Sequence, residues 1–232
     1  SYHQEALKAQ AVAAYTYYSY QRQAAREQPN ENVMGADFSA APWGSPIYYS
    51  ADQLKEKWGD AFDSTYEKYA QAVDAVLGKR ICYEGQLIMA VYHALSSGTT
   101  ESAEVMWGSA CPYLVSVPSP GDRLSPSYES TASFSPDEFS SALKTVNSEL
   151  IFEGDPSEWI SEAPGLSEAG TVLTLSISGH ILTGNQIRDA LGLRSACFDI
   201  VYADGAFMFT VRGYGHGVGL SQYGADYMAR QG

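Results

Sequence analysis

The apolar positions of this chain keep a helical period at its start and shift to short strand-like runs further on. In "SYHQEALKAQAVAAYTYYSYQRQAAREQ", Leu7, Ala11, Ala14 and Tyr18 recur at helical spacing and form one stripe. Ala9, Ala13 and Ala14 are small enough to admit a close neighbour, and Ser1 with Gln4 has the spacing of a capping box. "SADQLKEKWGDAF" and "STYEKYAQAVDAVLGK" predict two more helices, each opened by a serine at the cap position, with Gly78 able to end the second. "RICYEGQLIMAVYHA" predicts a hairpin turning at Glu84–Gly85. "SSGTTESAEVMWGSACPYLVSV" predicts a loop, a short helix and a short strand. "SPDEFSSALKTV" and "TGNQIRDALGL" predict helices, "TVLTLSISGHIL" a strand, and "FDIVYADGAFMFTVRGYGHG" a hairpin turning at Asp204–Gly205. "SQYGADYMARQ" closes the chain as a helix with Ser221 at its cap.

Helices thus precede and follow strand pairs without regular βαβ alternation, which predicts an α+β fold of mixed helices and antiparallel strand pairs. The polar, proline-rich "PSPGDRLSPSYESTASF" reads as a surface linker. A single domain over 1–232 then divides into lobes 1–118 and 132–232 around a groove. "PNENVMGADFSAAPWGSP" reads as loop, and no internal repeat is present.

Composition narrows the function. The chain has 232 residues, enough for a sizeable core, with 45% hydrophobic and 18% charged residues. No apolar run approaches the ~20 residues of a membrane span. A net charge of −13 excludes nucleic acid and acidic membrane surfaces as natural partners, since both select for clustered Lys and Arg. Seventeen tyrosines and four tryptophans supply faces of the kind that stack on sugars. Three cysteines, Cys82, Cys111 and Cys197, form no CxxC; one disulfide with a free thiol and three free thiols both fit, and small buried side chains is the reading favoured.

The closing "VRGYGHGVGLSQYGADYMARQG" carries glycines at 213, 215, 217 and 219. On an extended strand they would share one face, leaving bare backbone for a close approach while Tyr214 and His216 point the other way. No G-x-G-x-x-G runs through them, and Tyr223 stands where a nucleophile elbow needs its second glycine. His93, in "YHALSSGTTESAE", ends an apolar run and opens a small polar loop, a place that suits a binding loop and equally an ordinary strand-end histidine. Zinc on His93, His216 and a cysteine has no paired-ligand spacing to support it. By residue type alone, Glu5 is a solvated glutamate paired with Lys8 at i,i+3.

Three stretches together, "EALKAQAVAAYTY", "YHALSSGTTESAEVMWGSACPYLVSV" and "GYGHGVGLSQYGADYMARQG", resemble the stage II sporulation protein D family, which also includes amidase enhancer proteins. "LTGNQIRDALGLRSACFDI" fits as well, and the stretches fall in the family's order over nearly the whole chain. The resemblance implies a lytic transglycosylase of endospore-forming bacteria. Such an enzyme cuts peptide-stripped glycan strands of peptidoglycan between N-acetylmuramic acid and N-acetylglucosamine during engulfment, leaving 1,6-anhydro ends. It needs no cofactor or metal, works beside an amidase partner, and acts outside the cytoplasm on a membrane anchor upstream of these residues. The alternative is a non-catalytic wall-binding or amidase-enhancing module.

The family's catalytic glutamate heads the motif that begins at Glu5, and its cleft motifs place His93, Ser96, Thr100, Tyr214, His216, Ser221 and Gln222 near the substrate. Two positions depart from the pattern: Tyr15 stands where arginine is common, and Thr99 where glycine or a small polar residue is common. One carboxyl that serves as acid and then base needs a pKa raised toward working pH, so burial of Glu5 is expected to outweigh the dipole at its helix start. The loop and helices from Asn30 to Ala70 read as an elaboration on the family's shortest members.

Overall fold

The computed structural model describes residues 2–29, 31–39 and 48–232. The expected cap at Ser1 and the part of the expected loop at 30 and 40–47 lie outside them. The chain divides into two compact units, 1–91 with 229–232, and 92–228.

In the first unit, α1 (Gln4–Glu27) starts one residue after His3, whose Nδ1 accepts the Glu5 backbone N–H at 3.2 Å. Of the predicted stripe, Leu7 is buried and Ala11, Ala14 and Tyr18 are half-buried; Ala6, Ala13 and Thr16 complete the covered face. Thr16 Oγ1 donates to the Val12 carbonyl at 2.7 Å and accepts the Ile81 N–H at 3.0 Å, tying the end of the unit back to the helix. The second helix, α2 (Ala51–Trp58), has the expected cap: Ser50 and Gln53 form a reciprocal capping box. The serine expected to cap α3 (Phe62–Ala75) lies inside it, because a 3₁₀ turn over Gly59–Ala61 feeds directly into the helix. On α3, Ala72 is buried while Tyr66, Tyr69 and Val73 are exposed. The hairpin of β1 (Cys82–Tyr83) and β2 (Gln86–Leu87) turns at Glu84–Gly85, both with positive φ, as a two-residue turn of matching twist requires.

The second unit opens with β3 (Tyr92–His93) and α4 (Ala103–Trp107), which is capped by Ser102 and ends on left-handed Gly108. The short strand expected before Pro118 reduces to an isolated bridge between Thr99 and Pro118. The expected linker is no linker: a 3₁₀ turn over Pro120–Leu124 buries Gly121 and Asp122, and β4 (Glu129–Phe134) follows as a sheet strand. After α5 (Pro136–Leu143) come β5 (Gly165–Leu166), β6 (Val172–Ile177) and β7 (His180–Leu182). The single strand expected over 171–182 is thus a hairpin, folded at Ser178–Gly179, both with positive φ. Then follow α6 (Gly184–Leu191), β8 (Phe198–Ala203), β9 (Ala206–Arg212), β10 (Leu220–Ser221) and α7 (Gln222–Gln231).

Two three-stranded antiparallel sheets, ordered β4-β9-β8 and β5-β6-β7, carry this unit, and β8 and β9 turn at Asp204–Gly205 as predicted. The α+β class holds. One pairing departs from the antiparallel expectation: β3 and β10 run parallel, Tyr92 against Leu220 and His93 against Ser221. The three cysteines are free; Cys197 is buried, but Cys82 is exposed and Cys111 half-exposed, so only one behaves as a buried hydrophobe. Among the described residues no helix is long and apolar enough to cross a membrane.

The core of the second unit gathers Phe139, Leu143, Ile187 and Phe207, each fully buried, with Phe209 and Val211. Phe139 stacks on Phe207 at 4.0 Å between centroids, and Trp159 lies against Phe207 at 5.7 Å with its indole N–H donated to the Glu153 carbonyl. Replacing this ring leaves a cavity among rigid strands, so Phe139→Ala is expected to cost about 3–5 kcal/mol in chemical denaturation; a loss below about 1 kcal/mol would mean that the stack contributes little.

Candidate functional site

The glycine-rich segment does not form the extended strand its alternation predicts. Gly213, Gly215, Gly217 and Gly219 all take positive φ, so each alternate residue bends the chain where other residues are strained. The segment is stitched to the loop after β3: Tyr214 and Leu95 exchange backbone hydrogen bonds at 2.7 and 3.1 Å, and the Glu101 N–H donates to the Gly217 carbonyl at 2.8 Å. A β-carbon at Gly213 would fall 2.8 Å from the Leu95 carbonyl oxygen, and one at Gly215 would fall 2.9 Å from His93 Cβ. Close approach is therefore the reason for glycine at these two positions, and the partner is the protein's own chain. At Gly217 the nearest contact would be an ordinary 3.4 Å to Glu101 Cβ, leaving φ as the constraint.

Asp122, wholly buried, fixes the same loops from below. Its Oδ2 accepts the Ser96 backbone N–H at 3.0 Å and the Ser96 hydroxyl in a short hydrogen bond, and its Oδ1 accepts the Ser221 hydroxyl at 2.8 Å. Ser221 in turn accepts the Gly224 N–H at 3.1 Å and so caps α7, as expected. Thr100 is buried and committed: its Oγ1 accepts the Val117 N–H at 3.0 Å. Ser96, Thr100 and Ser221 therefore shape the loops. Asp122 was not singled out in the sequence, because a carboxylate in a polar, proline-rich stretch reads as solvated.

Two histidines meet above this frame. The rings of His93 and His216 lie 5.9 Å apart, and Trp107 is 5.5 Å from His216. His93 is buried; its Nδ1–H donates to the Val218 carbonyl at 3.0 Å, and its Nε2 has no partner. Burial holds its pKa below the usual imidazole value, against the Val218 bond and the charge of Asp122. His216 Nδ1 accepts the Val218 N–H at 3.1 Å, and the ring also hydrogen-bonds the Tyr92 backbone. Burial, then the charges of His93 and Arg188, lower its pKa to about 4. The hydrogen-bonding capacity of His216 is thus spent on backbone groups within the protein.

The same loops wall a small open pocket, with Ser97, Thr99, Glu101, Cys197, Arg212 and His216 among its lining. Glu101 is a second buried carboxylate, held by the Ser102 N–H at 3.0 Å and the Ser167 hydroxyl at 2.5 Å. Tyr214 is half exposed, with the Arg194 guanidinium 5.5 Å from its ring centre, and Gln222 is partly exposed. Among the described residues no three His, Cys, Asp or Glu side chains gather as a metal would need.

Glu5, in the first unit, stands on the first turn of α1. Its side chain is 62% exposed and pairs with Lys8 Nζ at 2.7 Å, as its residue type alone predicts. The Lys8 hydrogen bond outweighs desolvation and holds the carboxyl below the usual glutamate range. The expected burial and raised pKa are absent from the free protein.

Residues 1–83 match the family described as SpoIID, Stage II sporulation protein. The chain is 40% identical over 229 residues to Stage II sporulation protein D of Bacillus amyloliquefaciens, covering 98% of this chain and 63% of the relative. It is 37% identical over 236 residues to the Bacillus subtilis protein of the same name, covering 98% of this chain and 64% of that one. A more distant match, 24% identical over 275 residues, is to the Amidase enhancer of Bacillus subtilis, covering 98% of this chain and 36% of the relative. The chain is similar to the stage II sporulation D proteins over nearly its whole length, and the resemblance inferred from its sequence holds. It spans a little under two thirds of the length of those two proteins.

The histidine pair makes stability pH-dependent. His216 binds its proton near pH 4 when folded and near its ordinary 6.5 when unfolded. The unfolded chain thus holds the extra proton between these values, and stability falls as pH drops from about 6.5 to 4. The denaturation midpoint of His216→Gln should fall less steeply over that window than the parent's; parallel curves would refute the coupling. At fixed pH, Gly215→Ala should lower the midpoint more than Gly217→Ala, since only the former collides with a fixed β-carbon.

Proposed function

We propose that the chain acts on the cell wall of a sporulating bacterium as a lytic transglycosylase, with Glu5 as its single acid and base. The observation that carries this reading is the likeness to stage II sporulation D proteins over 98% of the chain, and Glu5 lies within residues 1–83, which match the family. In the proposed reaction the protonated Glu5 carboxyl gives its proton to the glycosidic oxygen as the bond from C1 breaks. The resulting carboxylate takes the proton of the muramic C6 hydroxyl, whose oxygen attacks C1 and closes a 1,6-anhydro ring. Proton and electron pairs balance without water or a second carboxyl.

A glycan seated over Glu5 would exclude water and displace Lys8, and both changes raise the carboxyl's pKa toward the range an acid needs. Tyr214, Gln222 and the ring face of His216 would contact the strand. His93, Ser96, Thr100 and Ser221 would act as positioning residues. Peptide-free glycan strands are the substrate, an amidase that strips stem peptides is the partner, and the site of action is extracytoplasmic on a membrane anchor.

The ion pair and exposure of Glu5 favour a second reading, a wall-binding module that enhances an amidase without cutting, and the likeness to an amidase enhancer accords with it. One experiment separates the two. Peptide-free glycan is incubated with the parent and with Glu5→Gln, and the products are weighed for anhydro ends. The enzyme reading expects anhydro ends from the parent, a loss of at least about 100-fold in Glu5→Gln, and glycan binding unchanged within about two-fold. Turnover by Glu5→Gln within a few-fold of the parent overturns Glu5, and binding without cutting by the parent establishes the second reading.

A further inference from the structure

The helix α3 has two apolar faces where a helix on the outside of a unit needs one. Lys68 and Ala72 lie on the inner face, toward the start of α1. The Lys68 ammonium donates to the Tyr2 carbonyl at 2.6 Å, the Lys68 carbonyl accepts from Gln4 Nε2 at 3.3 Å, and Ala72 is buried. Roughly 120° around the helix a second row runs through Phe62, Tyr66, Tyr69 and Val73. Its steps of four, three and four residues are those of the seam along which two helices pair.

This row faces outward. Tyr66, Tyr69 and Val73 are each close to half exposed, and Leu77, just past the helix, is 78% exposed. The rings form one continuous surface. Phe62 stacks on Tyr66 at 5.4 Å between centroids, Trp58 at the end of α2 lies 6.2 Å from Phe62, and Trp58 stacks on Tyr69 at 5.8 Å. Val73 follows Tyr69 one turn on along the same row. A contiguous apolar surface of this kind left in water marks a place of contact with another molecule.

Charge says which molecule fits. Asp60 and Asp63 stand at the start of α3 and Lys79 and Arg80 just beyond its end; all four are exposed, and none is in an ion pair among the described residues. This placement complements the helix dipole, and it also makes the face self-complementary in one direction only. A second copy laid antiparallel sets the acidic end of each helix beside the basic end of the other. Laid parallel, it sets acid against acid and base against base. In the antiparallel register that packs Tyr69 on Val73 of the second copy, Asp63 falls beside Lys79 and Arg80. The charge of Lys79 also acts on Glu5, so Arg80 is the base to vary.

We infer that the outer face of α3 is a self-association surface, on which a second copy of this chain docks antiparallel about a two-fold axis, with Tyr66, Tyr69 and Val73 at its centre and Asp63 and Arg80 at its ends. One surface then serves both copies, as a closed dimer requires. A single helix face lies at the small end of specific interfaces, so the dimer forms at micromolar concentration or above.

Sedimentation equilibrium of the full chain from about 10 µM to about 1 mM measures the association. The average mass of the parent should rise toward that of a dimer. Val73→Glu, which sets a charge on the seam, should hold it at the monomer. Asp63→Lys and Arg80→Glu should each weaken association about ten-fold, because the two-fold axis repeats every altered contact. The two together should associate within about three-fold of the parent, since each charge meets its opposite again. Denaturation midpoints identify any variant that fails to fold, and Arg80→Glu, beyond the helix, decides the matter if Val73→Glu does. A parent that stays monomeric throughout, or a mass rise that folded Val73→Glu leaves intact, overturns the surface. Single charge variants without effect, or no recovery in the double variant, overturn the antiparallel docking. A monomeric parent whose binding to peptide-free glycan is lost in Val73→Glu gives the face to the wall and likewise overturns the second copy.

Discussion

A carboxylate sealed from water must be met by donors, and the way Asp122 meets this constraint organises the second unit. Three hydrogen bonds reach it from two directions, Ser96 on the loop after β3 and Ser221 at the start of α7. Leaving such a group short of donors in a low dielectric is costly, so the bonds define where these segments meet. Gly121 and Gly224 make room for the arrangement: a β-carbon at the first would strike the Tyr227 ring, and one at the second would crowd Ser119 and Asp122. With the two segments clasped, β3 and β10 fall into register, and the glycine-rich segment is held against the loop that precedes α4.

That dependence explains what could and could not be read from residue order. The serine cap at Ser50, the Glu84–Gly85 and Asp204–Gly205 turns and the helix over Gln4–Glu27 were legible because each is decided by neighbours a few residues apart. The glycine alternation was legible as a signal but not as a shape. Period two suggests a strand, yet all four glycines take positive φ, and Gly213, Gly215 and Gly217 lie against Leu95, His93 and Glu101, more than 110 residues away. Asp122 was missed for the same reason: its partners are 26 and 99 residues distant, and nothing in the local composition marks it as buried.

The site residues divide along the same line. The family motifs pointed to Ser96, Thr100 and Ser221 as neighbours of a substrate, whereas hydrogen bonding shows their hydroxyls spent within the protein. The pairing of Glu5 with Lys8 followed from i,i+3 spacing alone, whereas the lowered pKa that the pairing brings is opposite to the raised one expected from the acid role. Polar groups with unspent capacity, such as His93 Nε2 and Arg188 Nε, are visible only once every other bond in the neighbourhood has been accounted for.

The hydrophobic core of the second unit runs from Phe139 to Val211 and contains no residue of the glycine-rich segment. The cohesion of the sheets and the path of the glycine-rich segment are therefore settled by different stretches of chain: the first by apolar side chains in contact, the second by backbone hydrogen bonds and buried polar groups.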